Sequence, residues 1–212
     1  MNRVKYPRTR HLPNSPGASS DDVHLADLGP LTVGPVVLTE KMDGENTTIG
    51  RGYVHARSVD SGAHVSRTWV RALAGRLHHQ FPENLRICGE NLYAQHSLGY
   101  DQLPSYFLVF NIWREDVCLD WDATREWADR LGLVCVPELY RGDFPGLEGL
   151  VRLWAAARDR ERSEGFVVRS TASFTRDQFG THLAKWVRRG HVQTDQHWMT
   201  SSITRNRVVP AS

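Results

Sequence analysis

The sequence predicts an α+β fold, mainly antiparallel sheets with flanking helices, organised around one principal domain. Three observations predict it. Short apolar runs bounded by turn residues outnumber the stretches with helical spacing. These runs do not alternate with helices, as a parallel sheet would require. With 212 residues, 40% apolar and 9% aromatic, the chain can bury one sizeable core, and it shows no internal repeat or low-complexity tract.

Residues 1–34 are rich in Pro, Gly, Ser and Asp and predict an extended, basic lead-in packed on the core, with few regular elements. The domain proper is expected over 35–212. "PVVLTEK" reads as a buried strand, and "NTTIGRGYVHARSVD" as two short strands meeting near Gly50, Arg51 and Gly52. "SRTWVRALAGRLHHQF" has Trp69, Val70, Leu73, Leu77 and Phe81 at helical spacing, with Ser66 as N-cap. Strands follow at "LRICGENLY", "YFLVFNIW" and "VCLDW". A helix is expected from Asp122 as cap to Gly132 as stop, with Trp127 and Leu131 on one face. "LVCVPEL" is a further strand, and "GLEGLVRLWAAARDR" a third helix with Leu147, Leu150, Val151 and Trp154 inward. "EGFVVRS" and "THLAKWVRR" complete the strands.

Composition narrows the functional classes. No run approaches the roughly 18 apolar residues that span a bilayer, and the basic N-terminus is not followed by the apolar segment of a secretory signal. Cys88, Cys118 and Cys135 sit far apart in apolar runs and read as core thiols in a reducing cytoplasm. The ten histidines show no zinc-ligand spacing, so no histidine-ligated metal is expected. Residues 1–20 carry four cations and no acid, 21–150 eleven cations and 19 acids, and 151–212 eleven cations and five acids. Basic ends around an acidic middle suit a polyanion-binding surface built from both ends, although an ordinary solvated surface has the same composition.

Lysine usage points to chemistry. Only Lys5, Lys41 and Lys185 are lysines among 26 cationic side chains. A guanidinium stays protonated, whereas a lysine amine can lose its proton and attack an electrophile. Lys41 ends an apolar run just before an Asp-Gly pair, in "EKMDGEN"; Arg57 ends "HARS"; Glu90 lies in "CGENLY"; Glu164 opens "EGFVVR"; Lys185 sits in "LAKWVR".

In that order these elements, with "FNI" between them, resemble the covalent nucleotidyltransferase superfamily of polynucleotide ligases and RNA capping enzymes. The likeness is strongest to the ATP-dependent RNA ligase family of phage repair and trypanosome editing ligases. It covers about residues 36–190. K-x-D-G alone is a weak pattern; the ordered set is specific. The resemblance implies the adenylation-domain fold of DNA and RNA ligases, which is ATP-grasp-like. It also implies joining of RNA 3′-hydroxyl and 5′-phosphate ends, in RNA repair, through lysyl-AMP and RNA-adenylate, with ATP and Mg²⁺ or Mn²⁺.

Carried over by position, Lys41 is the nucleophile. Lys185 and the metal would depress its pKa and neutralise charge on the phosphate. Asp43 and Gly44 would form a turn bringing backbone close to the phosphates. Glu40 would accept from the adenine amino group, Asn46 and Arg57 would contact the ribose-phosphate region or RNA end, and Glu90 would bind the ribose hydroxyls. Phe110 would stack on adenine, and Glu164 would hold the metal. Read singly, Phe110 is equally a core phenylalanine, Glu164 a strand-start carboxylate and Arg57 a solvated charge.

The chain departs from the family pattern in places. Val187 stands where many relatives carry a second cation, leaving Arg188 as a candidate replacement, and Arg188 and Arg189 as candidate RNA contacts. Asn111 stands where an acid is common, and neither "HLPNSPG" nor "HVQTDQHW" receives a mechanical role. About 25 residues follow Lys185, which leaves no room for a C-terminal OB-fold or RNA-binding domain and predicts a minimal, monomeric catalytic domain. Its partners would be RNA ends, with an end-healing or RNA-binding protein as a candidate helper and no membrane. Two alternatives remain: a capping-type guanylyltransferase, which would label with GTP, and an RNA-end-binding module with reduced chemistry.

Overall fold

The computed structural model describes residues 3–191 and 203–209, and every structural statement here concerns those residues. The order of elements is β1 (Arg10–His11), α1 (Gly29–Thr32), β2 (Val36–Glu40), β3 (Glu45–Gly50), β4 (Tyr53–Ala56), α2 (Thr68–Leu77), β5 (Leu85–Asn91) and β6 (Phe107–Arg114). Then come β7 (Val117–Cys118), α3 (Trp121–Arg130), β8 (Val134–Cys135), β9 (Glu138–Gly142), α4 (Gly146–Ala157), β10 (Gly165–Ser170), β11 (Phe174–Thr175), α5 (Phe179–His182) and β12 (Leu183–Val187). One sheet has the order β1-β12-β10-β2-β9, the other β11-β7-β6-β5-β3-β4 with β8 on β6. The pairings are antiparallel except β1–β12 and β6–β8.

Period-two alternation sorts the first sheet. Val36 and Leu38 of β2, Phe166 and Val168 of β10, and Ala184 and Trp186 of β12 pack with Leu150 and Trp154 of α4. The opposite faces carry Val37, Val167 and Leu183 towards Leu108, Phe110 and Cys88 of the second sheet. The second sheet turns Ile49, Ile87 and Val109 outward, where Val70, Leu73 and Leu77 of α2 and Ala128 of α3 cover them.

Several local expectations shift. Ser66 lies in a short 3-10 turn, Val65–Arg67, whose cap is His64; α2 starts later. Asp120, not Asp122, caps α3, because its carboxylate reaches the Ala123 amide at 2.8 Å. "LVCVPEL" divides into β8 and β9 around Val136 and Pro137, since proline donates nothing to a ladder. Thr181 and His182 belong to α5, so β12 begins at Leu183.

The "HLPNSPG" segment clamps β12. The Leu12 amide donates to Lys185 O at 2.8 Å and the Gly17 amide to Val187 O at 2.9 Å. Ser15 Oγ accepts the Val187 amide at 3.0 Å, and Trp186 Nε1 donates to Asn14 O at 3.1 Å. Of "HVQTDQHW", only His191 lies within the described residues. Residues 203–209 return to the loop after β5, where Asn206 Oδ1 accepts the Tyr100 amide at 2.7 Å and its Nδ2 donates to Leu92 O at 2.8 Å.

Gly165 opens β10 at φ +153°, and a Cβ there would lie 2.0 Å from Trp186 O. Neither the backbone angle nor the facing strand leaves room for a side chain. Gly165→Ala is expected to destabilise the fold by about 3 kcal/mol or more. Urea unfolding of wild type and variant measures this, and an unchanged midpoint would show that β12 can move away from β10 at no cost.

Candidate active site

Between the two sheets lies a cleft of about 370 Å³, within the size range of small-molecule sites. Lys41 follows β2 directly, and its amide extends the ladder by donating to Gly165 O at 3.0 Å. With Thr39 it continues the face of β2 that looks into the cleft. Across the same sheet, Val167 pairs with both Thr39 and Lys185, so the second lysine projects from that face two strands away.

The second sheet supplies Asn46, Glu90, Phe110 and Asn111. Asn46 and Glu90 are register partners on β3 and β5. On β6 the pairing jumps from Cys88↔Asn111 to Gly89↔Val109, leaving Phe110 as a bulge. That bulge lets Phe110 and Asn111, adjacent in sequence, both line the cleft. Phe110 is half-buried and meets the Tyr6 ring edge-on at 5.3 Å. Asn111 donates to the Tyr6 hydroxyl at 2.5 Å and accepts from the buried Arg169 guanidinium at 2.5 Å. The Asn111 amide thus serves both neighbours, one as donor and one as acceptor. Asn46 Oδ1 is buried with no hydrogen-bond partner, an acceptor turned towards the cleft. Such an atom costs free energy unless something else donates to it.

The Lys41 ammonium donates to Glu164 Oε2 at 2.5 Å. Burial pulls the Lys41 pKa down, but the Glu164, Glu90 and Asp43 carboxylates outweigh it and hold it above its ordinary value. This reverses the depression the resemblance implied. The mutual repulsion acts on the other partner: burial first, then Lys41, lower the Lys185 pKa. Glu90 is pushed up to about 8, chiefly by burial, with Lys41 opposing and Glu164 and Asp43 reinforcing the rise. At neutral pH Glu90 is therefore largely protonated, and its carboxyl can donate to a ligand hydroxyl as well as accept.

Asp43 was read as a turn residue; the structure gives it a larger part. Its Oδ2 accepts the Leu98 amide at 2.7 Å, and its own amide donates to the Tyr100 hydroxyl at 2.9 Å. Gly44 is needed for close approach, not for a left-handed turn: a Cβ there would lie 2.6 Å from Asn91 O. The fold also brings His191 to Asp43 and Glu164, with one ligand atom from each residue all within 4.8 Å of one another. These donors are the oxygen and nitrogen types that hold a divalent cation, so Glu164, Asp43 and His191 are the residues that could hold one.

The remaining expected residues are less centrally placed. Glu40 borders the cleft, but alternation turns its carboxylate to the α4 side, where Arg158 Nε donates at 2.6 Å. It is already engaged, and so is not the free adenine acceptor that was expected. Arg57 is exposed at the end of β4 and lines the cleft. Arg188 donates to Ser163 O at 3.0 Å and Glu161 O at 3.3 Å, steadying the approach to Glu164; Arg189 is exposed. Sequence reasoning missed Tyr6, Arg169, Tyr100 and His191. Arg169 closes the recognised "EGFVVR" motif and His191 opens "HVQTDQHW", but neither segment marks the residue that enters the site.

Twinned sheets with this cleft between them define the nucleotidyltransferase fold of polynucleotide ligases. An archaeal ATP-dependent RNA ligase superposes with TM-score 0.59 at 17% identity over 87% of this chain and 48% of that one. An Aquifex aeolicus protein assigned as an ATP-dependent DNA ligase gives 0.55 at 19% over 87% and 50%. A Naegleria gruberi RNA ligase variant with ATP and Mn gives 0.57 at 13% over 89% and 57%. The chain thus spans about half the length of these relatives. A sequence model of the RNA ligase family matches residues 34–187, and the chain belongs to that family. No curated protein sequence matches it.

The raised Glu90 pKa has a thermodynamic signature. Below the unfolded-state value of about 4.3, both states are protonated. As pH rises towards 8, the unfolded chain gives up this proton while the folded one keeps it, so stability falls through that window. Glu90→Gln removes the effect and should gain on wild type by about 1–4 kcal/mol between pH 5 and pH 8.5. Urea unfolding at both pH values measures the gap; a constant gap would mean that Glu90 titrates normally.

Proposed function

We propose that this chain is an ATP-dependent RNA ligase that joins 3′-hydroxyl and 5′-phosphate ends through a covalent Lys41-AMP intermediate and an RNA-adenylate, as in RNA repair. The observation that carries the reading is the Lys41 ammonium, hydrogen-bonded to Glu164 at the wall of a nucleotide-sized cleft. In the first step the Lys41 nitrogen forms a bond to the α-phosphorus of ATP as the bond to pyrophosphate breaks. The ammonium must first lose a proton, and Glu164 Oε2 is the acceptor in contact with it. A divalent cation, Mg²⁺ or Mn²⁺, held at Glu164 would add positive charge against the phosphates.

The rest of the cleft orients the nucleotide. Phe110 offers a ring face to the base, and Asn46 Oδ1 an acceptor to a ligand donor. The Glu90 carboxyl suits a ribose hydroxyl. Lys185, with its pKa lowered but its ammonium unpaired by any hydrogen bond among the described residues, is the cation free to meet the triphosphate. Arg57 at the cleft, and Arg188 and Arg189 beyond β12, suit the phosphates of an RNA end.

Incubation with labelled ATP or GTP and divalent metal should give a covalent protein-AMP band and no GMP band. Lys41→Arg should abolish that band while leaving the unfolding midpoint within about 1 kcal/mol of wild type, because arginine keeps the charge but cannot deprotonate. Labelling of Lys41→Arg at near wild-type level would sink the assignment. Glu164→Ala should slow labelling by at least about 100-fold with a smaller change in the KM for ATP. The opposite split, weak ATP binding with normal turnover at saturation, would make Glu164 a binding residue only.

A further inference from the structure

We infer that Asn206 is a positioning residue for the nucleotidyl-transfer step: through the loop of residues 92–106 it fixes the main chain just after Lys41. The inference rests on the reading of Lys41 as the nucleophile and concerns what holds that nucleophile in place. The loop joins β5 to β6 and contains no helix or strand. Its isolated bridges, Ala94 with Arg205 and Leu103 with Val208, are both made to residues 203–209. The Gln95 amide donates to Thr204 O at 2.8 Å, the Leu103 amide to Arg207 O at 3.0 Å and the Arg207 amide to Tyr100 O at 2.8 Å. Asn206 is 1% exposed, and all its polar groups engage this loop. Beside its side-chain bonds to Tyr100 and Leu92, its amide donates to Tyr93 O at 3.2 Å and its carbonyl accepts the Tyr106 hydroxyl at 3.0 Å.

From the loop, contacts reach back to the nucleophile. The Tyr100 hydroxyl accepts the Asp43 amide at 2.9 Å, and the Leu98 amide donates to Asp43 Oδ2 at 2.7 Å. Met42 is buried in one apolar cluster with Leu92, Leu103, Tyr100 and Val208, the last of these from the returning segment. Lys41 is therefore held from both sides. Its own amide sits in the β10 ladder, and the two residues after it are fixed by the loop. Loss of the Asn206 side chain leaves donors and acceptors of the loop unpaired and frees the Met42–Asp43 segment. Asn206 does not itself line the cleft, and Phe110, Glu90 and Lys185 stand within β6, β5 and β12. The step that suffers is thus the attack, which needs the Lys41 nitrogen in line with phosphorus, and not the binding of ATP.

The test compares the full chain with Asn206→Ala, Tyr100→Phe, the double variant and the milder Tyr106→Phe, which removes one hydroxyl bond to Asn206 and keeps the ring. Amide hydrogen exchange reads the link directly, whatever the activity. Exchange at Asp43 and Leu98 should quicken at least about tenfold in Asn206→Ala, while the amides of β10 and β12 keep their protection. Labelling by ATP should fall at least about tenfold in rate at saturation, with KM within about twofold of wild type. In the Tyr100→Phe background Asn206→Ala should cost less than about threefold, because the route to the Asp43 amide is already broken there. Tyr106→Phe should move both readouts the same way by a smaller factor, and it carries the test if Asn206→Ala does not fold. No AMP band from wild type would instead overturn the reading of Lys41 as nucleophile, a result the exchange data keep separate. Unchanged exchange at Asp43 and Leu98, or rate losses that simply multiply in the double variant, would overturn the inference.

Discussion

The register between β2 and β10 is the constraint on which the cleft depends. Phe166 pairs with Glu40 and Val167 with Thr39, so the residue after β2 emerges beside the residue before β10. Lys41 and Glu164 meet for that reason, although most of the chain separates them. A slip of one residue would turn Lys41 onto the α4 face, among Leu38, Trp154 and Phe166, and exchange it for Glu40. The apolar filling on each face makes that slip costly. Packing of Val36, Leu38, Phe166 and Val168 under α4 is thus also what aims the reactive groups.

Electrostatics in the cleft follow from this geometry. Glu90, Asp43 and Glu164 surround Lys41 and leave Lys185 with little compensation, so the two lysines respond in opposite directions. Arg169 has a different environment. Its guanidinium is buried against Asn111 and backbone carbonyls, with the Phe174 ring 5.1 Å away. A permanent cation there, backed by a neutral amide and not by an acid, leaves positive charge at the inner end of the cleft.

Much of the fold was legible in sequence because strands filled on one face carry a strong apolar signal. "PVVLTEK", "LRICGENLY", "YFLVFNIW" and "EGFVVRS" all became strands close to their expected limits. The ordered motifs led to the RNA ligase family because their spacing matches that family's chemistry, and Lys41, Glu90, Phe110 and Lys185 all line one cleft. Other features depended on information a linear reading lacks. Glu40 borders the cleft, but alternation turns its carboxylate to Arg158, a consequence of strand direction that the motif alone does not display. The bulge at Phe110 breaks alternation where nothing in "VFNIW" marks it. His191 meets Asp43 through tertiary folding alone, and histidine spacing gave no hint of it.

The clamp of residues 11–17 on β12 bears on how the protein comes to be folded. The first sheet takes β1 from residues 10–11 and pairs it with β12 at 183–187. In the same sheet β10 at 165–170 pairs with β2 at 36–40. Pairings of such long sequence separation must close large loops before they gain contact energy, which slows them. A nascent chain could assemble β3 through β6 with α2 early, as these are neighbours. It could not bring Lys185 opposite Lys41 until "THLAKWVRR" had left the ribosome and found the waiting N-terminal segment. The lysine pair at the reactive centre is thus assembled only through a pairing that spans nearly the whole described chain.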